Sequence, residues 1–260
     1  MRIARFSTPD GEPRYGVVEG DPGGEVLAEI EGDPLYRPIQ FAGDRYPLPD
    51  VRLLAPVIRR SKIVGVGRNY ADHAAEMGAQ PPAEPILFIK PNTAVIGPNE
   101  GISYPPASTE VHYEGELAVV IGRICRDVPL ERTGEVIFGY TCGNDVTARD
   151  LQRRDGQWAR AKGFDTFAPL GPWIETEFDP ADQGLITSLN GTPRQQGRTK
   201  DLIFSVPVLV SYISQAFTLL PGDVIFTGTP AGVGSMRPGD EVSVTIDGIG
   251  TLTNRVVSRG

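Results

Sequence analysis
The sequence predicts an α+β chain, mostly β, with a small β-rich segment ahead of a larger unit. Three observations carry this. The 31 glycines and 24 prolines leave only short segments between breakers, which suits strands and turns better than helices. The first fifty or so residues are punctuated by "TPDGEP", "EGDPGGE" and "EGDP", all turn chemistry. Only "VPVLVSYISQAFTL" (206–219) reads as a clear amphipathic helix, with Ser205 as N-cap and Pro207 in its first turn.

Taken in order, the elements give an organisation. Prolines in "YPLPDVRLLAPV" interrupt any regular element, so a boundary is expected there, separating 1–55 from 56–260. "RNYADHAAEMGA" (68–79) predicts a short helix with Asn69 as N-cap, Asp72 in the first turn and Gly78 at its end. "PILFIKP" (85–91) is a short apolar strand ending in Lys90. In "EVIFGYTCGNDVTARDLQRR" (135–154) a strand finishes near Gly143 and a short helix follows Asp145. The tail from "PGDVIFTGTPAGVG" onward reads as strand, glycine-rich loop and a hairpin turning at "DGIG". "FAPLGPW" is either an interface segment or an internal core strand.

Composition excludes several classes of function. A net charge of −8 argues against nucleic acid and anionic membrane as partners. No apolar run is long enough to span a bilayer, and no signal-peptide pattern is visible at the start. Cys125 and Cys142 are too few for a disulfide framework, which predicts a cytoplasmic protein. With only His73 and His112 as histidines, zinc sites of three histidines or four cysteines are excluded, and neither pair has the close spacing of a mixed site. Any metal is therefore expected to be a hard ion on oxygen ligands, Mg2+, Ca2+ or Mn2+.

Residues 111–122, "VHYEGELAVVIG", read as one strand. Val111, Tyr113, Leu117, Val119 and Ile121 form an apolar face, and His112, Glu114 and Glu116 lie on the other. Like charges sharing a strand face repel each other. The glutamates are either solvent-facing on a half-exposed strand or, since Ala118 and Val120 continue their face as small apolar residues, carboxylates at the edge of a buried face that need a cation. Asp145 is either a turn or cap aspartate or a third oxygen ligand. His73 and Glu76, three apart on one helix face, form either a routine surface pair or a general base with its tautomer fixed by a carboxylate. Lys162 in isolation reads as a solvated lysine. "GVGRNY" lacks the third glycine of a dinucleotide loop and "GTPAGVGS" lacks the lysine of a phosphate loop, so neither predicts nucleotide binding.

Five segments, "VGRNYADHAAEMG", "PILFIKPNTAVIGP", "VHYEGELAVVIG", "GYTCGNDVTARDLQRRDGQWARAKGFDTFAPLGPWI" and "PGDVIFTGTPAGVG", cover most of residues 60–235. Together and in this order they resemble the shorter members of the fumarylacetoacetate hydrolase family. The resemblance implies a mixed β-roll around a metal cleft. It implies one Mg2+ or Mn2+ on Glu114, Glu116 and Asp145, and joint action of His73 and Glu76, on a lid helix, on a water or substrate proton. Lys162 would lie by metal and substrate, Arg68, Arg149 and Gln152 would orient the substrate, and Thr229 would meet its carboxylate end with hydroxyl and backbone. A homodimer is the family expectation. The longer N-terminal barrel of true fumarylacetoacetases is missing, so fumarylacetoacetate itself is not the expected substrate.

The physical logic fits these residues. Three carboxylates leave about half of an octahedral ion's positions open. A 2-oxo acid can fill two of them, and the ion then stabilises the developing enolate by several kcal/mol. Hydrolysis of an acylpyruvate, decarboxylation as of oxaloacetate, and isomerisation of 2-hydroxyhepta-2,4-diene-1,7-dioate all share that enolate. Two alternatives remain: dehydration of a sugar acid on the same fold, and metal-dependent retention of a keto acid without turnover, which would use the same three carboxylates but have no need of His73 and Glu76.

Overall fold
The computed structural model describes residues 1–58 and 60–258. Strands dominate, as the sequence predicts. The α-helices among these residues are short: α1 (Ala71–Glu76), α2 (Arg149–Asp155), α3 (Ala159–Gly163) and α4 (Val206–Ala216). Among the described residues no helix is long and apolar enough to cross a membrane.

The largest sheet has twelve strands. Its main path in space runs Phe41–Pro47, Val26–Ile30, Pro13–Glu19, Arg2–Ser7, Ala168–Glu175, Ile137–Asn144, Gly115–Ile121, Val224–Phe226, Ile63–Gly67 and Ile86–Lys90. The first four strands form an antiparallel meander, and Arg2 and Ile3 pair with Glu175 and Ile174, so the N-terminal segment continues the main sheet. Residues 168–174 of "FAPLGPW" and its continuation are buried throughout, which makes that segment a core strand.

Gly115–Ile121 lies near the middle, and all seven residues are buried. Alternation sends Leu117, Val119 and Ile121 into one apolar cluster with Val64, Val66 and the Leu209, Val210 and Ile213 face of α4. It sends Ala118 and Val120 into another with Leu170, Ile174 and Phe226. A strand covered on both faces has no solvent side, which disposes of the half-exposed reading.

A five-stranded sheet contains the hairpin Gly184–Leu189 and Thr192–Arg198 beside Glu241–Ile246 and Gly250–Ser258. The last two strands are joined by the expected "DGIG" turn, where Gly248 takes φ +79°. A three-stranded sheet joins Val111–Tyr113 to Thr147–Ala148 and Gly234–Met236.

Two local expectations are corrected, and a third holds in position only. Residues 111–122 are not one strand: Val111–Tyr113 and Gly115–Ile121 belong to different sheets, and Glu114 is the link between them. The chain changes partners there because Glu114 N–H donates to Asn144 Oδ1 at 3.0 Å and Gly115 N–H to Gln195 Oε1 at 2.9 Å, in place of a continuous ladder. Asn69 does not cap α1; Tyr70 holds that position without a side-chain bond, and the Asn69 amide is spent on Phe204 and Thr227. Ser205 does occupy the N-cap of α4, with Pro207 in the first turn, but its hydroxyl makes no capping bond.

Candidate active site
Register brings the three acids together. Gly115 pairs with Asn144 and Glu116 with Gly143 across neighbouring strands, so Glu114 and Asp145 both lie just past the same end of that pair. Asp145 N–H donates to Glu114 O at 2.8 Å and locks the two segments. Glu114, Glu116 and Asp145 are each 3% exposed or less, and one oxygen from each lies within 4.8 Å of the other two. A buried, all-oxygen donor set of this size fits a hard divalent ion.

Cations surround the acids. Lys162, from α3, donates to Glu114 Oε2 at 2.7 Å and to Asp145 Oδ2. Lys90, fully buried at the end of its strand, donates to Asp145 Oδ1 and to Val146 O at 3.2 Å. Arg149, at the start of α2, bonds Glu114 Oε1 and also Gln152 Oε1 at 2.6 Å. Glu116 has no such partner; its Oε2 accepts the Gly228 N–H at 2.6 Å.

This asymmetry shows in the titration of the acids. Burial, then the neighbouring Asp145 and Glu114, push the Glu116 carboxyl well above its usual range. Burial acts the same way on Glu114, but Lys162 and Arg149 overcome it and hold that carboxyl well below the usual range. Burial lowers the Lys90 ammonium to about 8 despite Asp145. Lys162 is raised, because Asp145 and Glu114 outweigh its burial. An added cation would act most on Glu116, which among the described residues no cation bonds and which Lys162 offsets only in part.

The opposite wall is α1. His73 Nδ1 lies 3.2 Å from Glu76 Oε2, and the Glu76 carboxylate accepts the Gly232 N–H at 3.1 Å from the glycine-rich loop. Every candidate from the sequence except Glu76 lines one cavity: Arg68, His73, Glu114, Glu116, Asp145, Arg149, Gln152, Lys162 and Thr229. Glu76 stands behind His73. Arg68 turns the chain from strand to α1 at φ +57°, a conformation that costs a non-glycine residue on the order of 1 kcal/mol. The cavity measures about 30 Å³, room for one or two waters. His112 lies outside it, bonded to Glu110 and near Ser235.

Sequence reasoning missed Lys90, Phe88 and Trp158. Lys90 carried no spacing signal, only its place at a strand end. The aromatic pair left a trace in "GVG". A Cβ on Gly65 would lie 2.2 Å from Phe88 Cζ, and one on Gly67 would lie 2.7 Å from the Trp158 ring. These glycines seat two rings packed edge to face at 5.5 Å, and the Lys162 ammonium sits 4.9 Å from the Phe88 centroid.

Comparison with known proteins gives the family. Residues 62–257 match the fumarylacetoacetate (FAA) hydrolase C-terminal family, and residues 1–56 match the Rv2993c-like, N-terminal family. The solved 5-carboxymethyl-2-hydroxymuconate delta-isomerase from Mycobacterium smegmatis is 54% identical with a TM-score of 0.92, covering 100% of both chains. The 2-hydroxyhepta-2,4-diene-1,7-dioate isomerase from Mycobacterium marinum is 51% identical with a TM-score of 0.92, covering 100% of this chain and 99% of that one. The fumarylpyruvate hydrolase from Pseudomonas aeruginosa, solved with Mn2+ and pyruvate, is 41% identical with a TM-score of 0.72 over 76% of this chain and 90% of that one. The fold and the buried acidic cluster define a metal-dependent enzyme of the hydrolase and isomerase kind. The chain belongs to the fumarylacetoacetate hydrolase family.

Proposed function
We propose that this enzyme uses Mg2+ or Mn2+, held by Glu114, Glu116 and Asp145, to transform a small 2-oxo or 2-hydroxydienoic acid. The observation that carries the reading is the buried carboxylate cluster on one wall of a cavity whose other wall presents His73 backed by Glu76. The names of the two mycobacterial isomerases support a hydroxydienoic acid, and the Pseudomonas complex supports Mn2+ and a 2-oxo acid.

When bound, the cation supplies Lewis-acid stabilisation of negative charge developing on the substrate's C2 oxygen. The chain's own residues do the rest. A carboxylate can only accept, so His73 Nδ1–H donates a hydrogen bond to Glu76, which fixes the tautomer and leaves the Nε2 lone pair as a base. Gly232 N–H keeps Glu76 in place for this task. Nε2 then removes a proton from a water or from the substrate's carbon chain. Lys162 holds positive charge beside the acids, and Arg149, steadied by Glu114 and Gln152, joins Arg68 in orienting the substrate's carboxylates. Since the cavity as it stands holds only a water or two, α1 acts as a lid that moves to admit substrate. Residues 1–55 serve as a structural annex, and a cytoplasmic homodimer completes the reading.

A turnover panel tests it. Chelator-stripped protein is given Mg2+, Mn2+ or neither, with 2-hydroxyhepta-2,4-diene-1,7-dioate, acetylpyruvate or oxaloacetate. Metal-dependent loss of dienol absorbance or release of pyruvate supports the reading and identifies the chemistry. Full activity in excess chelator, or in Glu116→Ala, refutes it. Cation binding with silence on all three substrates favours sugar-acid dehydration or retention without turnover.

A further inference from the structure
We propose that Gln195 is a positioning residue for the cation site: it fixes the backbone between Glu114 and Glu116 and sets the direction of the Thr229 hydroxyl. The proposal rests on the reading of the three carboxylates as that site.

Gln195 is the one fully buried residue of the strand Thr192–Arg198, whose other six residues are exposed or half-buried. The single inward position of such a strand ordinarily takes an apolar side chain, because a buried amide costs stability unless its groups are bonded. Here they are. Oε1 accepts the Gly115 N–H at 2.9 Å, while Nε2 donates to Thr229 Oγ1 at 2.7 Å and to Pro230 O at 2.8 Å.

Two backbone partners fix the orientation of this amide. The Gly115 N–H can only donate and the Pro230 carbonyl can only accept, so Nε2 faces Thr229. The Thr229 oxygen therefore accepts from Gln195 and gives its own proton to Gly115 O at 2.8 Å. Its proton is committed away from the cavity it lines. Thr229 thus offers a substrate a lone pair, and cannot donate its hydroxyl to a carboxylate without breaking this chain.

The geometry converges on Gly115. Its N–H is bonded by Gln195, and its carbonyl by Thr229, which Gln195 orients. Thr187 lies opposite Gln195 in the same hairpin, and a Cβ on Gly115 would lie 2.0 Å from Thr187 Oγ1. One strand of the hairpin presses on this glycine while the other bonds it. Glu114 and Glu116 are its immediate neighbours, so the hairpin sets the spacing of two of the three acids. The loop bonded by Gln195 at Thr229 and Pro230 also supplies the Gly228 N–H to Glu116.

The test titrates Mn2+ by calorimetry into chelator-stripped native protein and into Gln195→Met, a side chain of similar length that makes none of the three bonds. Thermal unfolding of the metal-free proteins runs alongside. Gln195→Met is expected to bind Mn2+ more weakly by roughly tenfold or more, the range for groups that orient ligands. Native Mn2+ affinity with a lowered Tm would show a merely structural role and overturn the proposal. If Gln195→Met does not fold, Gln195→Asn serves, since it keeps an amide but is one methylene short of spanning these partners; the same loss is expected and native affinity overturns. Failure of the native protein to bind Mn2+ would overturn the cation-site reading itself, a result distinct from native-like binding by the variants.

Discussion

Asn69 and Phe204 are joined by two hydrogen bonds: Phe204 N–H donates to Asn69 Oδ1 at 2.8 Å, and Asn69 Nδ2 donates to Phe204 O at 3.0 Å. The same Nδ2 donates to Thr227 O at 2.7 Å, and Ile203 N–H donates to Asn69 O at 2.8 Å. The root of α1 is thereby tied both to the segment ahead of α4 and to the start of the glycine-rich loop. Packing is close as well, since a Cβ on Gly228 would lie 2.6 Å from Asn69 Cβ. Asn69→Ala removes the partner of the buried Thr227 carbonyl and of the half-buried Phe204 N–H and carbonyl, and a loss on the order of 2 kcal/mol is expected in chemical denaturation. Faster amide exchange across α1 should accompany it; unchanged exchange there would mean the tie does not hold α1.

Glu116 should make the metal-free protein lose stability as pH rises. Glu116 has its folded pKa raised, by burial first and then by Asp145 and Glu114. Such a group contributes stability that is complete below its ordinary pKa and lost as pH rises toward the raised folded value. Glu114, whose folded pKa is lowered, acts in the opposite sense and only in acid. Two groups oppose this trend: His112, whose pKa burial lowers, adds stability as pH rises toward its ordinary pKa, and Lys90 does so only near about 8, so the Glu116 share is read between pH 5 and about 7.5 as the difference between native protein and variant. Glu116→Gln is expected to flatten the slope and raise the metal-free Tm at the upper end by about 3 °C, while abolishing Mn2+ binding. Calorimetric melts across that window decide the matter, and an unaltered slope in the variant would count against it.

Bound metal should offset the same cost. Mn2+ at a hundred times its Kd is expected to stabilise the native protein by about 2.7 kcal/mol through mass action. Glu116→Ala should gain nothing from the same Mn2+. A matching gain in that variant would place the ion elsewhere.

His73→Ala should separate the chemistries. Loss of a positioned base typically lowers kcat by roughly 10²- to 10⁴-fold, and that fall is expected for hydrolysis and isomerisation. Decarboxylation, which needs no proton taken from water, should retain most of its rate. Mn2+ affinity should stay native, because His73 makes no bond to the three acids. A variant that hydrolyses acetylpyruvate at the native rate would remove His73 from the mechanism.

Gly65 and Phe88 are expected to be coupled. Gly65→Ala places a methyl group 2.2 Å from the present position of Phe88 Cζ, so the ring must move, at about 1–3 kcal/mol. Phe88→Leu makes room, and the double variant should be more stable than the sum of the single changes predicts. Strict additivity in denaturant titrations would show that the glycine is not there to seat the ring.

Much of the fold was legible because short-range chemistry dictated it. The "DGIG" hairpin, the strand ending near Gly143 with α2 behind it, and α4 with Pro207 in its first turn stand where the sequence predicts them. Errors fell where tertiary contacts override local pattern. The alternation in "VHYEGELAVVIG" is compatible with one strand, but Asn144 and Gln195, both distant in sequence, divide it at Glu114. Asn69 has the chemistry of an N-cap, yet Phe204 and Thr227 take its amide. The cavity lining was legible through residue types that a family resemblance ties together, whereas Lys90, Trp158 and Gln195 needed the strand register before anything marked them.

The continuity of the main sheet also bears on how the chain can be handled. Ala4, Phe6, Val18 and Leu27 share one apolar cluster with Leu117, Val119 and α4. Cutting away the first 56 residues would strip that cluster on one side and bare backbone groups at Ile174 and Glu175 that now pair with Ile3 and Arg2. Fresh apolar surface beside an unpaired strand end invites other copies to add on. A chain trimmed in this way should therefore be recovered as insoluble aggregate.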